Sequence, residues 1–243
     1  MLEVKNLTFG YDDRPLLRKI NFRLEPGKLY ALMGPNGSGK STLLQLLTGI
    51  LHGYDGRIIW QGRDLNRMAP GELASLAATV WTTPPLGSLT VDEVLHTGIR
   101  RDWKPARGLL HQVTAEWELE PLLHRPMDTL SDGEKQRVMI ARAWLQDTPV
   151  MLLDEPTTHL DLGHKARVLT GLRQAVRRGK TVLFSTHEMQ LVADVADRIL
   201  LLRNGRLDNL TPGEAMQALP AVFSNDLITF DPLTRTVKLK THE

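Results

Sequence analysis

The chain has 243 residues and a mass of 27.3 kDa, and its 30 basic and 28 acidic residues leave a formal charge of +2. With 42% hydrophobic and 24% charged residues it has the balance of an ordinary folded domain, which excludes a disordered, collagen-like or coiled-coil protein. No cysteine is present, so disulfides and thiolate chemistry are excluded and a reducing compartment is expected. No run approaches the roughly 20 apolar residues of a membrane span. Met1 leads directly into Leu2-Glu3-Val4 with no basic-then-apolar leader, so secretion is not expected. Basic residues are dispersed among acids rather than gathered in a stripe, so nucleic acid is not an expected partner.

Leu2, Val4, Leu7 and Phe9 alternate with polar neighbours and predict a half-buried strand, followed by a turn over 11–15. Ile20, Phe22 and Leu24 predict a second, antiparallel strand that Pro26-Gly27 closes. The apolar run 29–33 predicts a buried strand. After a glycine-rich segment, Leu43, Leu44, Leu46 and Leu47 predict a buried helix ended by Gly49. Further along, 56–60 reads as a strand, 70–76 as a short helix opened by Pro70, and 77–82 as a strand followed by a loop. Thr90 and Glu93 have capping-box spacing at the start of a helix. The stretch 91–147 is helical in pattern, with Trp103, Trp117 and Trp144 as packing residues. Val150 to Leu153 is a continuous apolar strand ending in Asp154-Glu155, as expected of a central parallel strand. A helix over 163–178, a strand over 181–185, a helix over 188–195 and a strand over 198–202 complete an alternation that implies a parallel sheet with helices on both faces. Arg173, Arg177, Arg178 and Lys180 read as a solvated helix end. A helix over 212–218 and weak strands at 227–230 and 235–239 close the chain.

Gly34-x-x-x-x-Gly39-Lys40-Ser41 is a complete P-loop pattern set between an apolar strand and a helix. Glycines allow successive backbone N–H groups to face a triphosphate, and the positive end of the helix lies at the same place. Lys40 is expected on the β- and γ-phosphates and the Ser41 hydroxyl on Mg²⁺, with Asn36, Gly37, Ser38, Gly39 and Thr42 completing the cradle. Asp154 is expected to hold Mg²⁺ and Glu155 to act as general base on the attacking water.

With these residues in place the chain resembles the nucleotide-binding subunits of ABC transporters, in order, from about residue 2 to 210. Leu130-Ser131-Asp132-Gly133-Glu134-Lys135-Gln136-Arg137 is similar to the family's LSGGQ-type signature, His159-Leu160-Asp161 to its D-loop and Ser185-Thr186-His187-Glu188 to its switch histidine. Tyr11 falls where the family stacks an aromatic on adenine, although alone it reads as a surface turn residue. Likewise Asp161 alone reads as a helix N-cap. The resemblance implies an α/β fold of ABC ATPase type: a mainly parallel P-loop core, an antiparallel β subdomain and an inserted helical subdomain. It divides the chain into an ATPase domain over 1–210, with the helical part at about 83–147, and a short extension over 211–243. It further implies ATP and Mg²⁺ as ligands and a head-to-tail homodimer. In that dimer Ser131, Gly133 and Glu134 of one copy meet the ATP held by the other, His187 holds the γ-phosphate and water, and Asp161 ties the two sites together. Membrane permease subunits would be the partners, reached through a groove near 82–98, with a substrate-binding protein beyond them. A peripheral place on the cytoplasmic face of the membrane follows.

Two motifs depart from the usual pattern. Thr82, with Thr83 second, stands where a glutamine is usual at the Mg²⁺ site, and Asp132 and Glu134 stand where glycine and glutamine are usual. Asp132 is expected to point along the helix start, where the dipole favours an acid. Both departures resemble the ATPases of iron-siderophore, haem and cobalamin importers, which points to an iron complex as cargo. An exporter subunit is the first alternative and a soluble ABC-type ATPase outside transport the second.

Overall fold

The structure is a computed structural model; it describes residues 1–12, 14–81, 87–99, 108–158, 160–188, 192, 194–223, 228–231 and 236–239, with side chains described to residue 218. Three sheets are present among these residues. The first is antiparallel and four-stranded, in the order β2-β1-β4-β5, with β1 at Leu2–Tyr11, β2 at Arg14–Leu24, β4 at Asp55–Trp60 and β5 at Arg63–Asp64. The second has six strands in the order β10-β9-β3-β8-β7-β6: β3 Leu29–Met33, β6 Ala77–Val80, β7 Val150–Leu153, β8 Thr181–Thr186, β9 Arg198–Arg203 and β10 Arg206–Leu210. Of its five pairings four are parallel, and that of β10 on β9 is antiparallel. A hairpin of β11 (Ile228–Asp231) and β12 (Thr236–Leu239) forms the third.

The six-stranded sheet divides two apolar cores by the two-residue period of its strands. Leu29, Ala31 and Met33 of β3, Met151 and Leu153 of β7, and Val182 and Phe184 of β8 face one core. Tyr30, Leu32, Val150, Leu152 and Leu183 face the other. Both faces are covered, which is why these strands read as unbroken apolar runs. The second core is shared with the antiparallel sheet and with helix α1 (Lys40–Leu47). Trp60, fully buried, fastens the two by donating from Nε1 to the Leu47 carbonyl at 3.0 Å.

Between β6 and β7 the described chain is helical apart from an isolated bridge of Thr90 to Pro126. It holds α3 (Val91–Gly98), α4 (Leu109–Glu116) and α5 (Asp132–Leu145), with short 3₁₀ turns between α4 and α5. Trp117 and Trp144 are buried there edge to face at 6.4 Å, the packing role expected of them. Trp103 lies outside the described residues. Helix α2 (Pro70–Ala74) precedes β6, α6 (Leu162–Arg177) joins β7 to β8, and α7 (Pro212–Phe223) follows β10. Of the helix expected over 188–195, residues 189–191 and 193 lie outside the described residues.

Three expectations need correction. The turn expected over 11–15 is shorter: β1 runs to Tyr11 and β2 starts at Arg14, paired with it, so the opening strands are ten and eleven residues long, and register shifts along their pairing interrupt the simple alternation. Three of the four cations at the end of α6 are engaged rather than merely solvated: Arg173 bonds Asp197 at 2.8 Å, Lys180 bonds Asp147 at 2.7 Å, and Arg178 lies 5.8 Å over the Trp144 ring, while Arg177 is exposed. Finally β10 was not expected from the sequence; it closes on β9 through Asn204-Gly205, both at positive φ, the dipeptide that favours a tight hairpin.

Candidate functional site

The carboxyl ends of β3, β7 and β8 lie side by side, so the segments that follow them converge. The loop after β3 is Gly34 to Gly39. A Cβ at Gly34 would run into the Leu202 carbonyl oxygen and come within 2.7 Å of Ser38 Oγ, so the close approach of β9 demands glycine there. Gly39 caps α1 at φ 101. Lys40 is 6% exposed, and its Nζ donates to the carbonyls of Gly34 at 2.9 Å and Pro35 at 3.1 Å. Burial pushes its ammonium below the ordinary lysine range, while the carboxylates of Glu155 and Asp154 oppose that shift. The cation therefore sits under the field of both acids that the sequence placed at the site. Ser38 Oγ is buried without a hydrogen-bond partner inside the loop, a polar atom suited to an anion's oxygen.

Beyond β7 the chain turns sharply. Asp154 is 7% exposed, and its Oδ1 accepts from Ser185 Oγ at 2.6 Å; the same hydroxyl oxygen accepts the Glu155 N–H at 2.8 Å. One buried hydroxyl on β8 thus fixes both acids at the tip of β7. Glu155 adopts φ 48, an uncommon angle for a side chain of its size, and its Oε2 accepts from Thr158 Oγ1 at 3.0 Å. His187, one residue past β8, brings Nδ1 to 3.5 Å from Glu155 Oε1.

A cavity of about 480 Å³ is bounded by the loop, Lys40, Ser41, Thr42 and Glu155 on one side and by Tyr11 and Leu16 on the other. A second, of about 670 Å³, continues from Tyr11 along Asp12, Arg14, Pro15 and Leu16. Tyr11 is 51% exposed, stands edge-on to Phe9 at 5.2 Å and has its hydroxyl 3.3 Å from Thr42 Oγ1. A flat aromatic face and an apolar Leu16 beside a phosphate-type loop make a groove for a base carrying a chain of phosphates. Leu16 was not singled out from sequence; its place two residues beyond Arg14, the register partner of Tyr11, was the available signal.

Ser131, Gly133, Glu134 and Asp161 line neither cavity. Ser131 is the N-cap of α5 in a reciprocal box: its Oγ donates to Glu134 Oε2 at 2.9 Å and accepts the Glu134 N–H at 3.3 Å, while Glu134 Oε2 also accepts the Ser131 N–H at 2.8 Å. The Ser131 N–H holds the Glu134 carboxyl below the usual range, and Arg125 stands 3.6 Å from it. The acid in place of glutamine is thereby committed to the helix end. Asp132 is 70% exposed in the first turn of α5 with Lys135 at 3.8 Å, along the helix start as expected. Asp161 is the N-cap of α6: Oδ1 accepts the His164 N–H and Oδ2 meets His164 Nδ1, both at 2.8 Å. Thr82, Thr83 and His159 lie outside the described residues. Among the described residues no group of three or more histidine, aspartate or glutamate side chains could hold a metal ion.

A comparison with protein families matches the ABC transporter family over residues 17–158. The hemin import ATP-binding protein HmuV of Rhodopseudomonas palustris strain BisB5 is 36% identical over 232 residues, covering 90% of this chain and 89% of that protein. The iron(3+)-hydroxamate import ATP-binding protein FhuC of Bacillus subtilis strain 168 is 32% identical over 248 residues, covering 96% and 91%. Among solved structures, a dimeric ATP-binding cassette in a post-hydrolysis state bound to ADP and Pi superposes with a TM-score of 0.77 at 26% identity, covering 87% of this chain and 99% of that one.

Proposed function

Because this chain belongs to the ABC transporter family and is an ATPase of P-loop fold, we propose that it is the motor subunit of an importer, that its cargo is an iron complex such as a siderophore chelate or haem, and that the residues converging at the strand tips carry its ATP hydrolysis. The observation that carries the chemical reading is the meeting of Glu155 and His187 at 3.5 Å beside the cavity of Lys40 and Ser41. Tyr11 takes the adenine face, and the N–H groups from Gly34 to Thr42, with Asn36, Gly37, Ser38 and Gly39 between, take the phosphates together with Lys40. The hydroxyl of Ser41 and the carboxylate of Asp154 are hard oxygen donors suited to Mg²⁺, with Thr82 as the third residue assigned to it. Bound Mg²⁺ would draw charge from the phosphate oxygens. Glu155 accepts the proton of the attacking water as its oxygen bonds to the γ-phosphorus and the bond to the β-phosphate oxygen breaks, leaving ADP and phosphate. His187 orients that water and the γ-phosphate.

Ser131, Gly133 and Glu134, which line neither the cavity at Lys40 nor the one at Tyr11, serve a second copy placed head to tail, and Asp161 stands at the seam. ATP closes such a pair and hydrolysis opens it. The division into an ATPase domain over 1–210, its helical part at about 83–147 and an extension over 211–243 belongs to the same proposal. So do the permease subunits, a substrate-binding protein acting through them, and a place on the cytoplasmic face of the membrane. The hemin and iron-hydroxamate import functions named for the relatives support the cargo class. Two assays test this. Glu155→Gln is expected to lower kcat for ATP by about 10²–10⁴-fold, the usual contribution of a general base, and an unchanged kcat would remove Glu155 from the role. In vesicles carrying the chain with its permease, ATP is expected to drive inward movement of a ferric siderophore or haem; outward movement would make the protein an exporter motor.

A further inference from the structure

Glu188 follows the half-exposed His187 and is held from three elements. Its Oε2 accepts from Lys165 Nζ at 2.8 Å, its Oε1 accepts from Thr157 Oγ1 at 3.2 Å, and its own N–H donates to Thr186 Oγ1 at 3.0 Å. The Lys165 and Glu188 side chains are only 23% and 21% exposed, and Thr157 is 2% exposed. A pair on open surface is screened and holds little. This pair is shielded, and the second carboxylate oxygen is bonded as well, which fixes its geometry.

The three anchors are informative by position. Thr157 lies two residues beyond Glu155, Thr186 ends β8, and Lys165 sits in the first turn of α6, the helix capped by Asp161. Ser185 fastens the tips of β7 and β8 from within, on the strand side of the two acids. Glu188 fastens the same tips from the far side of His187. The imidazole is thus carried on a segment pinned before and after it. A small sideways movement of that segment would move Nδ1 away from Glu155 Oε1, and catalytic geometry does not tolerate displacements of that order.

We propose that Lys165 and Glu188 are positioning residues for ATP hydrolysis: their ion pair locks the His187 segment onto α6 and Thr157 and so sets His187 against Glu155. The proposal rests on the catalytic reading of Glu155 and His187 above. Neither residue touches the cavity that holds the phosphates, so the pair acts on the reacting step and not on ATP affinity.

The test is steady-state ATP hydrolysis by the full chain carrying Lys165→Met, Glu188→Gln, the double exchange Lys165→Glu with Glu188→Lys, and Glu155→Gln, each with its thermal midpoint. Each single change is expected to lower kcat about tenfold with KM for ATP within about twofold of the parent, and the double exchange to recover most of the lost kcat. A purely structural staple would lower the midpoint and leave kcat intact well below it; that result overturns the proposal. So does a rise in KM at unchanged kcat, or an exchange variant that folds and is no better than the singles. The exchange also keeps the test open if one single variant folds poorly. If Glu155→Gln hydrolyses ATP at the parent rate, the catalytic reading fails and takes the proposal with it. If Glu155→Gln is inactive while Lys165→Met and Glu188→Gln are fully active, only the positioning role fails.

Discussion

At the scale of single residues, the arrangement turns on one hydroxyl. Ser185 is fully buried, donates to Asp154 Oδ1 and accepts the Glu155 N–H. Glu155 at φ 48 stores of the order of 1–3 kcal/mol of backbone strain, which neighbours must over-determine. Hydrogen bonds to a charged group contribute about 1.5–3 kcal/mol each, so Ser185→Ala is expected to lower unfolding free energy by about that much in urea and to lower kcat with it. A stable variant with parent kcat would detach Ser185 from the site. The acids themselves were legible in the sequence because they end a continuous apolar strand. The Ser185 link was not, because 30 and 31 residues separate the partners and only the parallel pairing of β7 with β8 brings them together. Lys40, Ser41 and the glycines were legible for the opposite reason: they are contiguous, and their spacing carries the geometry.

Single elements are governed by their ends. The box at Thr90 and Glu93 was read from its spacing, and the same spacing recurs at Ser131 with Glu134 and at Thr211 with Glu214, where the structure forms the same reciprocal bonds. At α5 this gives the unusual Glu134 a structural task, since a glutamate reaches the cap N–H as an anion. Ser131→Ala is expected to destabilise the fold by about 1 kcal/mol in denaturant titration. The hairpin of β9 and β10 is the element that periodicity hid, because the Asn204-Gly205 turn marks it better than its side chains do. Gly205 has φ 73, and a Cβ there would lie 2.9 Å from the Leu16 carbonyl oxygen, while its own carbonyl accepts the Arg18 N–H at 2.7 Å. Gly205→Ala is therefore expected to cost more than 1 kcal/mol and to loosen β2 beside the nucleotide groove, read as a lower thermal midpoint together with weaker ATP binding.

Over the whole molecule, a mainly parallel sheet separates two apolar cores and presents its strand tips to one groove. The alternation of strands and helices was legible because both faces of the sheet are covered. The length of β1 and β2 was not, because bulges break the period that would reveal it. Acid is expected to weaken the whole assembly. The Thr90, Ser131 and Thr211 N–H groups hold Glu93, Glu134 and Glu214 below their ordinary range, and the Arg63 guanidinium does so for Glu72. Depressed carboxylates contribute fully above the unfolded value of about 4.3, and that contribution is lost as pH falls through their lower folded values. The denaturation midpoint is accordingly expected to fall as pH drops below about 4.3, and a flat profile there would contradict these bonds.

We propose that ATP joins two copies through Ser131 and Asp161, which line neither the cavity at Lys40 nor the one at Tyr11 of their own copy. Sedimentation of the Glu155→Gln chain, with and without saturating ATP and Mg²⁺, tests it most directly. The expected result is a species of twice the 27.3 kDa chain mass with ATP, and the single chain both without ATP and when Ser131→Arg is added. A single-chain mass at saturating ATP would contradict an ATP-joined pair.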